Sequence, residues 1–111
     1  MFIDTIKYDS ILVITPHEDI IRENSEDIEL AVKNNYNKTI TDIILDCNHI
    51  QYINSFSLGT LVKIHQNLQE NNCKLHFLNV APSIKTLFKI THVLDYFSIL
   101  NSIDEVKEKS K

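Results

Sequence analysis

The chain contains one glycine, two prolines and no tryptophan in 111 residues. Glycine averages about 7% of ordinary chains, so most turns needing a left-handed backbone must here take another residue. Asparagine tolerates that region better than most and is expected to fill it. The same scarcity excludes a glycine-rich phosphate loop. Cys47 and Cys73 stand alone without CxxC spacing, and read as reduced thiols. No apolar run approaches the roughly 18 residues of a membrane span. No charged segment followed by an apolar one opens the chain as an export signal would. Basic charge is also short: 11 basic against 15 acidic side chains leave a formal charge of −4. With no Lys/Arg cluster interleaved with aromatics, direct nucleic-acid binding is not expected. These absences point to a soluble cytoplasmic domain over residues 1–111, in which Asn37-Lys38-Thr39 carries no glycan.

Catalytic and metal-binding patterns are missing too. His17, His49, His65, His76 and His92 have no paired ligand spacing, so no metal and no cofactor is expected. Neither a Ser-His-Asp signature nor a cysteine-nucleophile motif occurs. The motif inventory supplies no catalytic set, and an enzyme is not expected.

What is present is a clear alternation of strands and helices around Asp42–Leu68. Ile43-Ile44-Leu45, stopped by Asp46, reads as a strand buried on both faces. Ile50, Tyr52 and Ile53 form a second small apolar patch. A polar step, Asn54-Ser55-Phe56-Ser57, then leads into the helical stripe Leu58, Leu61, Val62, His65 and Leu68, with His65 read as a satisfied boundary residue. Upstream, Phe2–Tyr8 and Ile11–Ile14 read as a hairpin turning at Asp9-Ser10, the second strand ending at Thr15-Pro16. Asn24-Ser25 offers a cap for a helix with the stripe Ile28, Ala31, Val32 and Tyr36, and Glu26, Asp27 and Glu29 on its solvated face. Downstream, Asn71-Asn72 ends the second helix, Lys74–Val80 is a strand, and Pro82 starts a third helix ending at Thr91-His92. Phe97–Leu100 is a short strand. Ser102 and Glu105 have capping-box spacing for a last helix, and about the last five residues are expected to fray. The order ββαβαβαβα predicts an α/β fold with a mixed sheet, because strands alternating with helices pair in parallel while the hairpin adds an antiparallel edge.

Loops beyond the carboxyl ends of strands are favoured places for sites, which directs attention to Asn54–Gly59. Ser55 or Ser57 at the helix start could serve as a simple cap, worth about 1 kcal/mol. The same position suits a phosphate, since helix N-termini carry unpaired N–H groups and the positive dipole end. Asn54 can support the turn through its side chain. Phe56 fits either core packing or an exposed aromatic anchor.

In order and spacing these segments resemble the STAS domain, found alone in bacterial anti-anti-sigma factors. The family's apolar strand, spacer, aromatic-apolar pair and Asp-Ser-Ser-Gly-Leu-Gly step match Ile43–Asp46, Tyr52-Ile53 and Asn54–Gly59. Its strand, proline turn and Leu-Phe helix match Leu75–Val80 and Ala81–Phe88. The resemblance runs from about residue 11 to the end, and implies a mixed sheet with helices packed mainly on one face. It also implies partner switching. In that scheme the dephosphorylated protein binds an anti-sigma factor that is also a GHKL-type serine kinase. The kinase phosphorylates the serine matching Ser55, with Ser57 the weaker candidate, and a cognate phosphatase reverses the change. Asn54, Ser55, Phe56, Ser57, Leu58 and Gly59 are then the expected partner surface. Asn54, Phe56 and Ser57 depart from the family's Asp, Ser and Gly, and His92 stands where it has a helix-ending glycine. A second function keeps the fold without the switch: a constitutive adaptor, as in STAS subunits of stress-signalling assemblies or ABC lipid-transport systems.

Overall fold

The computed structural model describes residues 1–109. Part of the C-terminal end expected to fray therefore lies outside the described residues. The strands are β1 (Ile3–Tyr8), β2 (Ile11–Pro16), β3 (Asp42–Asp46), β4 (Lys74–Leu78) and β5 (Ser98–Leu100). The helices are α1 (Ser25–Asn35), α2 (Ser55–Glu70), α3 (Pro82–Ile90) and α4 (Asp104–Lys109). The strands form one sheet in the order β1-β2-β3-β4-β5, with β1 antiparallel to β2 and the other pairs parallel.

From β2 onward each parallel neighbour is reached through one helix. Crossovers of this kind share one hand, which places α1, α2 and α3 on the same face. There Leu12, Ile14, Ile43, Leu45, Leu75 and Phe77 of the sheet meet Ile28, Leu61, Ile84 and Phe88 of the helices. Phe77, Phe88 and Phe97 close a ring triangle with centroids 4.6 to 5.5 Å apart, within the range for favourable edge-on packing. The other face carries Ile11, Val13, Ile44 and Leu100, packed with Val106 of α4. Ile43, Ile44 and Leu45 of β3 are at most 2% exposed, as a central strand covered on both sides requires.

The second face also holds a polar chain. Asp42 on β3 accepts from His76 Nε2 on β4 at 2.8 Å, and His76 Nδ1 meets Ser98 Oγ on β5 at 2.6 Å. An ionised Asp42 only accepts, so the neutral ring carries its proton on Nε2 and takes the Ser98 hydroxyl at Nδ1. Asp, His and Ser thus meet across three strands although no Ser-His-Asp motif runs along the sequence. Each lies within a strand, and the chain cross-links β3, β4 and β5.

Glycine scarcity is resolved largely as expected. The positive-φ positions among the described residues are Asp9, Asn72, Asn79 and His92. His92, with φ 63°, takes the turn after α3, where the resembled family has glycine.

β2 ends at Pro16, where the Thr15-Pro16 stop predicts. The His17 N–H donates to Phe2 O, so the Pro16 nitrogen points to the β3 side, where the parallel ladder has already ended at Ile14 and Leu45. Phe2, and Ile6 and Tyr8 of β1, are 61%, 50% and 42% exposed, with the His17 ring 4.8 Å from Phe2 and Lys107 Nζ of α4 4.6 Å over Tyr8, as suits an edge strand. Two sequence expectations change. Glu105 accepts from Asn101 N–H instead of closing a box onto Ser102. His65 is 6% exposed, and neither ring nitrogen has a hydrogen-bond partner among the described residues. Its ring instead stands edge-on to Tyr96 at 4.4 Å, a weak aromatic contact in place of a hydrogen bond.

Burial pushes the His65 pKa below its ordinary 6.5. The folded chain keeps this ring neutral while the unfolded chain can protonate it. Its contribution is therefore present in full above the ordinary value and is lost as pH falls below it, toward the folded-state pKa. Urea midpoints followed from neutral to mildly acidic pH should fall more steeply for wild type than for His65→Leu. Parallel pH profiles would mean that the ring stays neutral in both states or finds a partner when charged.

Candidate functional site

The site begins where β3 ends. Asp46 Oδ1 accepts from Asn48 N–H and from Asn79 Nδ2, at 3.1 and 3.0 Å, turning the chain out of the sheet. The following loop is pinned to the segment after β2. Ile20 and Ile53 form a parallel bridge, Ile20 N–H donates to Tyr52 O, and Asn54 N–H donates to Ile20 O. Asp19 Oδ1 accepts from the N–H groups of Gln51 and Tyr52, at 2.7 and 3.1 Å. Ile50, Ile53 and Ile20 are buried beneath. The chain therefore enters α2 from a braced position.

Asn54 is the N-cap. Its Oδ1 accepts from Ser57 N–H at 2.8 Å and from the Ser57 hydroxyl at 2.7 Å. The cap expected of Ser55 or Ser57 thus belongs to Asn54. An asparagine carbonyl has two acceptor sites, and both are used. Ser57 is wholly buried and Leu58 lies in the core at 6% exposure, so both support the helix start from beneath. Leu58 continues the apolar stripe, and Ser57 is drawn inward by the cap.

Ser55, Phe56 and Gly59 remain on the outside. Phe56 is 45% exposed, and the Arg22 guanidinium carbon stands 4.1 Å above its ring centre. This cation–π contact, worth about 0.5–1 kcal/mol at an exposed position, resolves the two readings of Phe56 in favour of a surface ring. Tyr52, three residues before Ser55, is 55% exposed. Beside them lies an open cleft of about 630 Å³ whose lining includes Arg22, Glu26, Glu29, Ser55, Gly59 and Lys63. Lys63 Nζ is 3.0 Å from Glu29; a pair this exposed contributes little to stability. Arg22 and Lys63 escaped the sequence reading. Arg22 lies 33 positions before Ser55, and only the Ile20–Ile53 bridge brings it near. For Lys63 a signal existed, its place about two turns along the same helix face as Ser55.

Gly59 is helical, and a Cβ added there would meet nothing within 4 Å among the described residues. The fold has no steric need for this glycine.

The thiols lie elsewhere and are quiet. Burial raises the Cys47 pKa to about 12 and that of Cys73 to about 11, with Asp46 and Asp42 adding in the same direction. Both stay protonated and unreactive near neutrality. Among the described residues no group of three or more His, Cys, Asp or Glu has metal-holding geometry, and no helix is long and apolar enough to cross a membrane.

Comparison with known proteins places this geometry. Residues 2–106 match the STAS domain family, and the chain belongs to that family. The match reaches further toward the N-terminus than the motifs alone suggested. The chain is 23% identical over 96 residues to BtrV of Bordetella bronchiseptica, assigned as an anti-sigma factor antagonist, covering 86% of this chain and 83% of that one. A crystal structure assigned as an anti-sigma factor antagonist from Thermotoga maritima superposes with a TM-score of 0.86 at 20% identity, covering 96% and 92% of the two chains. The Bacillus cell-fate determinant SpoIIAA in its phosphorylated form superposes with a TM-score of 0.72 at 13% identity, over 99% and 100%. The fold is that of the anti-sigma factor antagonists.

Two substitutions separate the cap from the open face. Asn54→Ala should cost about 1 kcal/mol, the ordinary value of an N-cap, whereas Ser55→Ala should stay within about 0.5 kcal/mol. Gly59→Ala should stabilise the domain by about 0.5–1 kcal/mol, because alanine is the better helix former and has room here. Urea denaturation of the three variants reads all of these; a destabilised Gly59→Ala would show that the backbone there is under a constraint unrelated to space.

Proposed function

We propose that the chain is an anti-anti-sigma-like regulator that binds an anti-sigma factor of the GHKL-type serine-kinase class and is switched by phosphorylation of Ser55. The observation that carries this reading is the sorting of the two serines. Ser57 is buried and held by Asn54, while Ser55 stands exposed at the first turn of α2, between the exposed Tyr52, Phe56 and Gly59. Relatives of the same fold include an anti-sigma factor antagonist determined in both unphosphorylated and phosphorylated forms.

In the partner's active site the Ser55 hydroxyl attacks the γ-phosphorus of ATP. The Oγ–P bond forms, the bond to the bridging oxygen breaks, ADP leaves, and the hydroxyl proton is given up. The product carries about −1.5 to −2 charge near neutrality. In a desolvated interface, like-charge contact costs several kcal/mol. About 4 kcal/mol would weaken binding roughly 10³-fold, enough to exchange one partner for another. A phosphatase resets the cycle by hydrolysing the Oγ–P bond. Asn54 brings no charge of its own, so it does not repel the phosphate as the family's aspartate would.

A constitutive adaptor is the second reading, favoured by Phe56, which sets a bulky ring beside the serine a kinase must reach. One pull-down from native extract separates the two. Wild type and Ser55→Ala should capture a GHKL-type kinase alike, and Ser55→Asp should capture at least about 10-fold less. Equal capture of a transporter ATPase or scaffold by all three would replace the switch with an adaptor.

A further inference from the structure

We propose that the cleft between Arg22 and Lys63 is a built-in holder for the phosphate of phosphoserine 55, which draws the Arg22 guanidinium off the Phe56 ring. This rests on the reading of Ser55 as the phosphorylated residue and adds a structural consequence to it. Arg22, Ser55, Gly59 and Lys63 line one open cleft. Both cations are only lightly committed. Arg22 is spent on an exposed ring, 4.1 Å away. Lys63 is spent on Glu29 in a surface pair in which its own side chain is 62% exposed, a kind of contact that often contributes nothing measurable. A phosphate dianion accepts charge-assisted bonds about twice as strong as neutral ones, and guanidinium binds two of its oxygens at once. Arg22 therefore gains by leaving the ring.

Gly59 lies one turn beyond Ser55 on the same helix face, and its bare backbone leaves the cleft floor open where a side chain would intrude. Glu26 and Glu29 line the same cleft and oppose an anion. A free anion is thus poorly served, whereas a phosphate tethered at Ser55 is held at high effective concentration. The switch then has two parts: new charge at Ser55, and a Phe56 ring stripped of its cation on the same face.

The test uses the full chain with phosphoserine encoded at position 55 and needs no partner. The ³¹P resonance is titrated with pH, and the midpoint is compared with that in concentrated urea, near the ordinary second pKa of about 6. Two cations beside the phosphate should lower the folded midpoint by about 0.5 pH unit or more. Arg22→Gln should recover at least about half of that difference, Lys63→Gln a smaller part, and high salt should narrow it. Lys74→Gln, in a separate groove beside Thr41 and Asn72, should change nothing. Phosphorylation should also remove the ring-current shift of Phe56 from the Arg22 guanidinium protons. Equal midpoints for wild type and Arg22→Gln, or an Arg22 that stays on the ring, would overturn the holder. Neither result touches the pull-down, which reads the partner switch separately, and a failed pull-down leaves this titration interpretable.

Discussion

The exit from β3 governs this molecule. A strand buried on both faces delivers its chain to the rim of the sheet with backbone groups that must find partners at once. The neighbouring segment after β2 supplies them. Asp19 takes two N–H groups with one carboxylate oxygen, and the Ile20–Ile53 bridge adds two main-chain bonds. Removing that bracing would free the loop, let the Asn54 cap drift, and separate Arg22 from Phe56. The same few contacts thus satisfy the backbone, fix the start of α2 and assemble the exposed face. The exposed face is built on a constraint the fold had to meet anyway.

The division of labour between two adjacent polar residues follows from that start. Asn54 is neutral and uses its carbonyl oxygen twice, on the N–H and the hydroxyl of Ser57. An aspartate could accept the same pair, and would add a negative charge directly before Ser55. The asparagine keeps the cap and spares Ser55 that repulsion.

Sequence patterns carried much of this architecture, for physical reasons that can be named. Ile43-Ile44-Leu45 could only be a doubly buried strand, and the helical stripe from Leu58 could only face a sheet. Order and alternation then set the mixed sheet. Legibility failed where a role depends on what lies opposite. Phe2, Ile6 and Tyr8 fall at alternate positions, yet they stay exposed, with the His17 ring against Phe2 and Lys107 over Tyr8 in place of a core, because cover is a property of topology and not of period. His65 sits on the apolar stripe as a polar residue should not, and only the fold reveals that an aromatic edge stands where a hydrogen-bond partner was expected. At the site, the spacing marked Ser55 and Ser57 as a pair without saying which faces out. Arg22 was invisible, since a residue brought in by a distant bridge leaves no local trace.

The single glycine is the sharpest remaining clue. A chain that uses Asp9, Asn72, Asn79 and His92 for its left-handed turns does not spend glycine where backbone geometry demands it. It places glycine instead inside a helix, where the residue costs about 1 kcal/mol relative to alanine and where space for a side chain exists. A cost accepted without a conformational or packing return inside the domain points to a return outside it. The position lies between Ser55 and Lys63 on the open face. Under the proposed phosphoserine holder that return is the cleft itself, and Gly59, the uncovered Phe56 ring, Lys63 and the nearby Arg22 are parts of one surface.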